Sequence, residues 1–222
     1  MSNSRPTTST FALIFGALLA TIMMTTTAHA QHEYAPLEEK EINYKNWTYK
    51  DIKSGTSVNL RERVAGKKLV MIVYFAPWCG NWKFEAPVVA RLYEKYKADG
   101  FDVIAVSEYA PVADTIAHFG ESGAPYTVVV ESESRDARDK TDHYACRMKT
   151  GDTRRYGSPY NVFIEPANIA KTGDVLIKKT TVVNGELIEA DAEKFIRARL
   201  GLKEQAASGE SCPIEIKQSA SN

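Results

Sequence analysis

The feature that most constrains this chain is a continuous apolar run at Leu69–Phe75 (LVMIVYF). A run of this length and composition, with no polar break, is typical of a strand whose two faces are both buried. Such a strand needs a layer on each side of its sheet, which favours helices packed against a central sheet. Residues 76–81 (APWCGN) then lead into a stretch with helical spacing of apolar residues that extends to Lys97. The sequence therefore predicts a buried strand, a short turn that carries Cys79, and a helix.

Further segments alternate between strand and helix patterns. Residues 46–60 carry alternating apolar residues around Ser54-Gly55, the pattern of a β-hairpin. Strands are predicted at 102–106, 126–130, Tyr160–Ile164 and Val175–Val183, and helices at Val112–Phe119 and 191–200. Alternation of this kind is typical of one α/β domain.

Segments of different composition flank or interrupt that domain, which we place at residues 46–202. Residues 31–45 are polar and acidic and are interpreted as a lead-in. Residues 131–155 are a highly charged insertion, for which we expect a solvated helix or a long loop. Residues 203–222, rich in Ser, Ala, Glu and Gln, are interpreted as a flexible tail.

The first thirty residues are typical of a secretory signal peptide. An apolar run at residues 11–24 is followed by Ala28-His29-Ala30, a small-residue cleavage pattern. As a helix this run would reach about 21 Å, short of the ~30 Å hydrocarbon core of a bilayer. An uncleaved membrane anchor is the alternative. We expect cleavage after Ala30, a periplasmic or secreted mature chain with no membrane span, and a compartment in which disulfides persist.

The balance of charge excludes one class of partner. In 222 residues, 28 Lys and Arg balance 28 Asp and Glu, for a formal net charge of +0 at pH 7. No basic face is evident, so nucleic-acid binding is not expected. The 3 cysteines are too few for a scaffold built on disulfides, and their odd number leaves at least one thiol unpaired within a monomer.

Cys79 lies where the predicted helix begins. Unpaired backbone N–H groups and the positive end of the helix dipole favour a thiolate there, and the thiolate is the nucleophile of disulfide chemistry. Residues 66–87 (GKKLVMIVYFAPWCGNWKFEAP) resemble the thioredoxin superfamily, and within it the exported TlpA/ResA-type thioredoxin-like proteins. The match includes the Trp-Cys-Gly run, Glu85 and Pro87, and a looser resemblance extends over about residues 46–200. It implies a thioredoxin-like α/β fold, with a central mixed sheet flanked by helices and an N-terminal hairpin extension.

The resemblance also implies roles for individual residues. Cys79 would be the catalytic thiol, and Glu85 would assist proton movement; an ordinary first-turn acid stabilised by the helix dipole is the alternative for Glu85. Residues 156–160 would form a loop whose cis-proline, Pro159, faces the thiol; a trans-proline that merely starts the next strand is the alternative. The expected substrate groove is lined by Trp78, Gly80, Trp82, Ser158 and Pro159.

The sequence departs from the family pattern at Trp82, where the second cysteine of the C-x-x-C dithiol belongs. That second thiolate normally resolves the mixed disulfide, so exchange through Cys79 alone is implied. Packing in the core is the alternative role for Trp82. Cys146 and Cys212 are candidates for a resolving thiol or a structural disulfide. A Cys79–Cys146 bridge and a Cys146–Cys212 bridge would each be worth about 4 kcal/mol in chain entropy, so both pairings stay open.

The sequence thus predicts an exported thioredoxin-like protein that exchanges thiols and disulfides with protein or small-molecule substrates. A non-catalytic thioredoxin-fold module that binds a peptide or protein is the alternative. No cofactor and no metal are expected. His143 and Cys146 are metal-ligand types, but the copper-binding relatives need a cysteine where Lys83 stands. His118 and the Arg154-Arg155 pair are interpreted as surface residues.

Overall fold

The structure, a computed structural model, describes residues 32–203. The expected signal peptide at residues 1–30, and nearly all of the expected tail with Cys212, lie outside the described residues. Within residues 32–203, no helix is both long enough and apolar enough to cross a membrane.

The described chain begins with four strands, continues with helices and strands in turn, and ends with two further strands and a helix. The strands are β1 (Tyr34–Ala35), β2 (Glu38–Lys45), β3 (Thr48–Asp51), β4 (Ser57–Asn59), β5 (Leu69–Phe75), β6 (Phe101–Ser107), β7 (Thr127–Val130), β8 (Tyr160–Ile164), β9 (Val175–Val183) and β10 (Glu186–Leu187). The helices are α1 (Leu60–Val64), α2 (Gly80–Tyr96), α3 (Val112–Phe119), α4 (Asp142–Lys149) and α5 (Glu189–Leu200). Short 3-10 turns lie at Lys97–Asp99, Arg135–Lys140 and Pro166–Asn168.

β5 lies inside an eight-stranded sheet with the order β2-β9-β8-β5-β6-β7-β3-β4. It pairs in parallel with β6 and antiparallel with β8, so that Tyr74 lies opposite Val106 on one side and Tyr160 on the other. β3 and β4 form the expected hairpin and join the sheet through β7. The expected thioredoxin-like fold, a mixed sheet flanked by helices, is confirmed.

Both faces of β5 are covered by apolar layers, as its sequence predicts. Met71 and Val73 face the layer supplied by α2 and α5. Ile72 and Tyr74 face the opposite layer, to which α1 contributes. Successive strand residues point to opposite faces, so the two layers are separated by the sheet itself.

The segment expected to be a polar lead-in, residues 31–45, is instead part of the fold. β2 pairs antiparallel with β9, and β1 pairs in parallel with β10. Ile42 and Tyr44 point into the core while their neighbours along β2 are exposed. β2 is an edge strand, and edge strands commonly carry charged residues that face solvent. The polar composition of residues 31–45 is therefore compatible with a strand.

The charged insertion at residues 131–155 also differs from the expectation. It contains a 3-10 turn and α4, but it is not solvated throughout, because His143 and Arg147 on α4 are fully buried. The His143 ring stacks on Tyr74 of β5, with ring centroids 4.7 Å apart. α4 therefore covers part of the sheet face opposite α2.

The burial of β2 can be tested with a matched pair of substitutions. Ile42→Ala should lower the free energy of unfolding by about 2–5 kcal/mol, since it opens a cavity in the core. Glu41→Ala, on the exposed face of the same strand, should change it by less than about 0.5 kcal/mol. Urea unfolding of both variants measures the difference. Equal small effects would mean that β2 is not part of the cooperative domain.

Candidate active site

Cys79 is the N-cap residue of α2 and is partly exposed. Its amide donates to the Ala76 carbonyl at 2.9 Å, and its own carbonyl accepts from the Lys83 amide at 3.2 Å. The first turn of α2 contains no acidic residue. The thiol therefore lies at the positive end of the helix dipole with no carboxylate in that turn to oppose it.

Residues 156–159, which we call the Pro159 loop, lie directly against Cys79. The Cys79 thiol donates to the Ser158 carbonyl oxygen, with 3.2 Å between sulfur and oxygen. The Ser158 hydroxyl accepts from the Ala76 amide at 2.9 Å, and the Ser158–Pro159 peptide bond is cis. The antiparallel pairing of β5 with β8 brings this loop beside the thiol, because β8 begins directly after Pro159.

Trp78 forms one wall beside the thiol. Its Nε1 donates to the Tyr109 carbonyl at 3.1 Å, and its ring meets Tyr156 edge-on with centroids 5.0 Å apart. The exposed Arg135 guanidinium lies 4.0 Å from the centre of the indole ring, a cation–π contact. The sequence indicates Tyr156 only as part of the loop at residues 156–160 and does not point to Tyr109 or Arg135, because their contacts join segments far apart in the chain.

Trp82 does not line a groove, which corrects one of the expected site residues. Its side chain is fully buried and packs on Phe75 with ring centroids 4.5 Å apart. Position 82 falls on the face of α2 that turns to the sheet, so a large apolar ring packs there as core. The Trp82 Nε1 donates to Nε2 of His118 at 2.9 Å. His118 is thus not a free surface residue, and burial, followed by the charge of Lys83, lowers its pKa.

Glu85 is deeply buried and lies beyond the first turn of α2, so it is not an ordinary first-turn acid. Its Oε2 accepts from the Leu187 amide at 2.7 Å and from Nδ2 of Asn161 at 3.4 Å. Its Oε1 has no hydrogen-bond partner among the described residues. Burial outweighs these hydrogen bonds and raises the pKa of Glu85 to about 8. At neutral pH the group is therefore mostly a neutral carboxylic acid, able to hold a proton.

Cys146 lies apart from Cys79. The two thiols are not bonded to each other, and they pack against core layers on opposite faces of the sheet. The Cys146 sulfur is 3.5 Å from the Tyr160 hydroxyl, and burial raises the pKa of Cys146 to about 11. A thiol held in its protonated form is a poor nucleophile at neutral pH. The structure thus does not support a Cys79–Cys146 pair, and the Cys146–Cys212 pairing lies outside the described residues.

Glu108 is a buried carboxyl that sequence analysis missed. It directly follows β6, and neither of its oxygens has a hydrogen-bond partner among the described residues. Burial, followed by the neighbouring Glu131 carboxylate, raises its pKa well above the usual range. Glu131 itself accepts from the Asp142 amide at 2.5 Å and the His143 amide at 3.3 Å. The first turn of α4 is therefore held by Glu131, which lies beside the buried Glu108 side chain.

The Arg154-Arg155 pair is divided between two environments. Arg154 is half-buried, pairs with Asp152 at 2.7 Å and Glu33 at 2.9 Å, and donates to the Pro159 carbonyl at 2.7 Å. Arg155 is exposed, as expected. The expectation of a solvated pair is therefore wrong for Arg154, which binds the Pro159 loop instead.

His143 is not available as a metal ligand. Its Nε2 lies 3.1 Å from the Gly157 carbonyl oxygen and its Nδ1 lies 3.0 Å from the Tyr109 hydroxyl. Both ring nitrogens are thus engaged. Across residues 32–203, no group of three or more His, Cys, Asp or Glu side chains is arranged to hold a metal ion.

Comparison with known proteins agrees with this geometry. The sequence profile of the Redoxin family matches residues 42–186, more than half of the chain. The chain belongs to the Redoxin family. The match begins within β2, includes the insertion, and ends at the first residue of β10.

Two relatives match this redoxin over short segments. Protein disulfide-isomerase of Oryctolagus cuniculus is 34% identical over 70 residues, which cover 31% of this chain and 14% of that protein. Thioredoxin-2 of Saccharomyces cerevisiae is 39% identical over 49 residues, which cover 22% of this chain and 47% of that protein. The chain thus spans less than half the length of either relative.

Solved structures with the same fold match over most of the chain. A thiol:disulfide interchange protein of the thioredoxin family from Chlorobium tepidum TLS gives a TM-score of 0.50 at 18% identity, covering 78% of this chain and 100% of that chain. MTB dsbF, solved in mixed oxidized and reduced forms, gives a TM-score of 0.50 at 17% identity, covering 72% and 99%. At such identities the likeness establishes the thioredoxin-like fold.

The buried acid Glu85 makes stability depend on pH in a definite direction. With the folded pKa raised from 4.5 to about 8, the unfolded chain loses this proton first, so the group costs stability as pH rises through that window. Glu85→Gln, which keeps the shape without the titration, should therefore have a flatter stability curve from pH 5 to 8. The exposed Glu121→Gln serves as the control and should follow the wild type. Urea unfolding across this range measures the slopes, and parallel Glu85→Gln and wild-type curves would contradict the expectation.

Proposed function

We propose that this redoxin is an exported thiol–disulfide oxidoreductase in which Cys79 is the one catalytic thiol. The observation that carries the proposal is the position of the Cys79 sulfur, partly exposed at the start of α2 and 3.2 Å from the Ser158 carbonyl. A thiol in this place can be reached from solvent, and it lies at the positive end of the dipole of α2. Membership of the Redoxin family supports the same chemistry.

In the proposed reaction the Cys79 thiolate attacks one sulfur of a substrate disulfide. An S–S bond forms between Cys79 and that sulfur, the substrate S–S bond breaks, and its electron pair leaves with the second substrate sulfur, which then takes a proton. A thiolate from outside the site then attacks the substrate sulfur of this mixed disulfide, so that a new S–S bond joins the two and Cys79 leaves as the thiolate. A second external thiolate attacks the first external sulfur, which leaves the two external sulfurs joined as a disulfide and releases the substrate sulfur as a thiolate, which takes a proton. The external thiols supply the two electrons that reduce the substrate disulfide.

Two features support a mechanism with a single thiol. Trp82 occupies the position of the usual second cysteine and is packed into the core. Cys146 lies on the other side of the sheet and is held protonated by burial. As a partly buried residue of α4, Cys146 suits a structural role better than a catalytic one.

The proposed substrates are protein or small-molecule thiols and disulfides. They would lie along Trp78 and Gly80, beside the Pro159 loop. The side chains of Ser158 and Pro159 are buried, so a substrate would meet mainly the backbone of this loop. Glu85 is proposed to hold a proton near the site, since its pKa of about 8 keeps it mostly protonated at neutral pH.

The proposed location is the periplasm or the extracellular medium. The apolar run at residues 11–24 and the Ala28-His29-Ala30 pattern support export with cleavage after Ala30. An oxidising compartment is where exchange at an exposed thiol has disulfide substrates to act on.

A non-catalytic binding module is the second candidate. The burial of Trp82 favours it, because the fold keeps the groove while the resolving thiol is replaced by a core residue. In that case a peptide partner would bind equally well to Cys79→Ser protein, and no covalent intermediate would form.

Replacement of each described cysteine distinguishes the two candidates. Incubated with a peptide disulfide, wild-type and Cys146→Ser protein should both form a mixed disulfide, whereas Cys79→Ser should form none. Intact-mass analysis of the trapped species measures this directly. A Cys79→Ser protein that binds the same peptide unchanged, together with a wild type that forms no adduct, would favour the binding module.

Trp82→Cys tests whether the missing thiol limits turnover. Positions 79 and 82 lie one helical turn apart, close enough for disulfide geometry. If the variant folds, despite a packing loss of up to about 5 kcal/mol, it should form a disulfide between Cys79 and the introduced thiol and reduce insulin at a higher rate than the wild type. Trp82→Ser, which makes a similar cavity without a thiol, is the matched control. A folded Trp82→Cys variant with neither the disulfide nor the added activity would refute this placement of the site.

A further inference from the structure

Hydrogen bonds connect α4 to the Cys79 thiol through two successive carbonyl groups of the Pro159 loop. The His143 Nε2 lies 3.1 Å from the Gly157 carbonyl oxygen. The next carbonyl, that of Ser158, accepts from the Cys79 thiol at 3.2 Å. Because the two carbonyls belong to adjacent peptide units, the direction of one limits the direction of the other.

The partners of His143 determine its tautomer. A carbonyl only accepts, so Nε2 carries the hydrogen that bonds Gly157. The ring is neutral, since burial and then the charge of Arg147 lower the pKa of His143 well below its usual range. Nδ1 is then an acceptor, and the Tyr109 hydroxyl donates to it at 3.0 Å. Tyr74 stacks flat against the ring at an angle of 6°, which limits its rotation.

Tyr109 connects His143 to the residue that precedes the Cys79 thiol in the chain. Its carbonyl accepts from the Trp78 indole at 3.1 Å, and Trp78 precedes Cys79 in the chain. Tyr109 has φ of 60°, a left-handed conformation that a bulky residue adopts only where its surroundings hold it. Its hydroxyl bond to His143 is part of what holds it.

Arg147, one turn after His143 on α4, supports the same loop. It is fully buried and donates to the carbonyls of Asp152, Arg154 and Arg155. Gly157 fits against it closely: φ is 56°, and a Cβ there would lie 2.4 Å from Cδ of Arg147. α4 therefore holds the Pro159 loop at two points: Arg147 binds the chain just before the loop, and His143 binds the Gly157 carbonyl within it.

We propose that His143 is a positioning residue for Cys79, which it orients through the Pro159 loop. The Gly157 carbonyl is held by the imidazole, and the Ser158 carbonyl consequently faces the thiol. The inference rests on the proposed function and extends it, because it makes the charged insertion part of the active site.

The first test is the rate at which Cys79 forms a mixed disulfide with a small peptide disulfide. His143→Leu removes both hydrogen bonds and should lower the second-order rate constant about 10–100-fold, the cost of a misplaced reacting group. His143→Gln, which keeps an N–H donor, should recover most of the rate. Ile42→Ala, a destabilised control in β2, should react like the wild type. A His143→Leu rate within twofold of the wild type, or an equal loss in Ile42→Ala, would overturn the proposal.

The second test is independent of activity. Nitrogen-15 NMR of the wild-type imidazole should show a protonated Nε2 and a bare Nδ1, and His143→Leu should shift the amide signals of Ser158 and Cys79. An imidazole protonated at Nδ1 alone, or unshifted amides, would contradict the proposed positioning. If wild-type Cys79 reacts with no disulfide, the proposed function fails, while the NMR readout still decides the role of His143.

If His143→Leu does not fold, Tyr109→Phe takes its place, since it removes the hydroxyl that donates to Nδ1 of His143. A rate of mixed-disulfide formation at Cys79 that is at least about threefold lower supports the proposal, and an unchanged rate overturns it.

Discussion

β5 has no surface on which a polar side chain could reach water, because helices cover both of its faces. Much of the architecture follows from that requirement. The chain must leave the sheet at Phe75 and fold back as α2, which covers one face of the sheet. Cys79 lies where this helix begins. The antiparallel neighbour β8 begins beside the point where β5 ends. The thiol and the Pro159 loop therefore meet because of how one buried strand is enclosed, and the site needs few contacts of its own to bring them together.

Those parts of the fold that have a local signal could be predicted from the sequence. The continuous apolar run of β5, the helical spacing of α2 and the β3–β4 hairpin are each visible within a dozen or so residues. β2 was missed because an edge strand buries only one face, here Ile42 and Tyr44, among charged neighbours. The resemblance places Trp82 in the groove, yet helical geometry turns that position toward the sheet.

The polar parts of the site could not be predicted in the same way, for a physical reason. Whether a carboxyl or an imidazole is charged depends on its partners and its burial, and these come from distant segments. Glu85 is held by Leu187 and Asn161, and His143 lies between Tyr109 and Gly157. The structure thus places a carboxyl with a raised pKa, Glu85, and a neutral imidazole, His143, in the interior.

The close approach of Gly157 to Arg147 has a consequence for anyone who edits this protein. By composition, residues 131–155 look like a surface decoration that could be trimmed to leave a minimal thioredoxin-like domain. Yet Gly157 has no side chain because Arg147 fills the space beside it. A Cβ at position 157 would lie only 2.4 Å from Cδ of Arg147. Arg147 leaves no space for a side chain at position 157, so a larger residue there would require a smaller residue at position 147. Grafts and chimaeras should therefore transfer α4 and the Pro159 loop as one module.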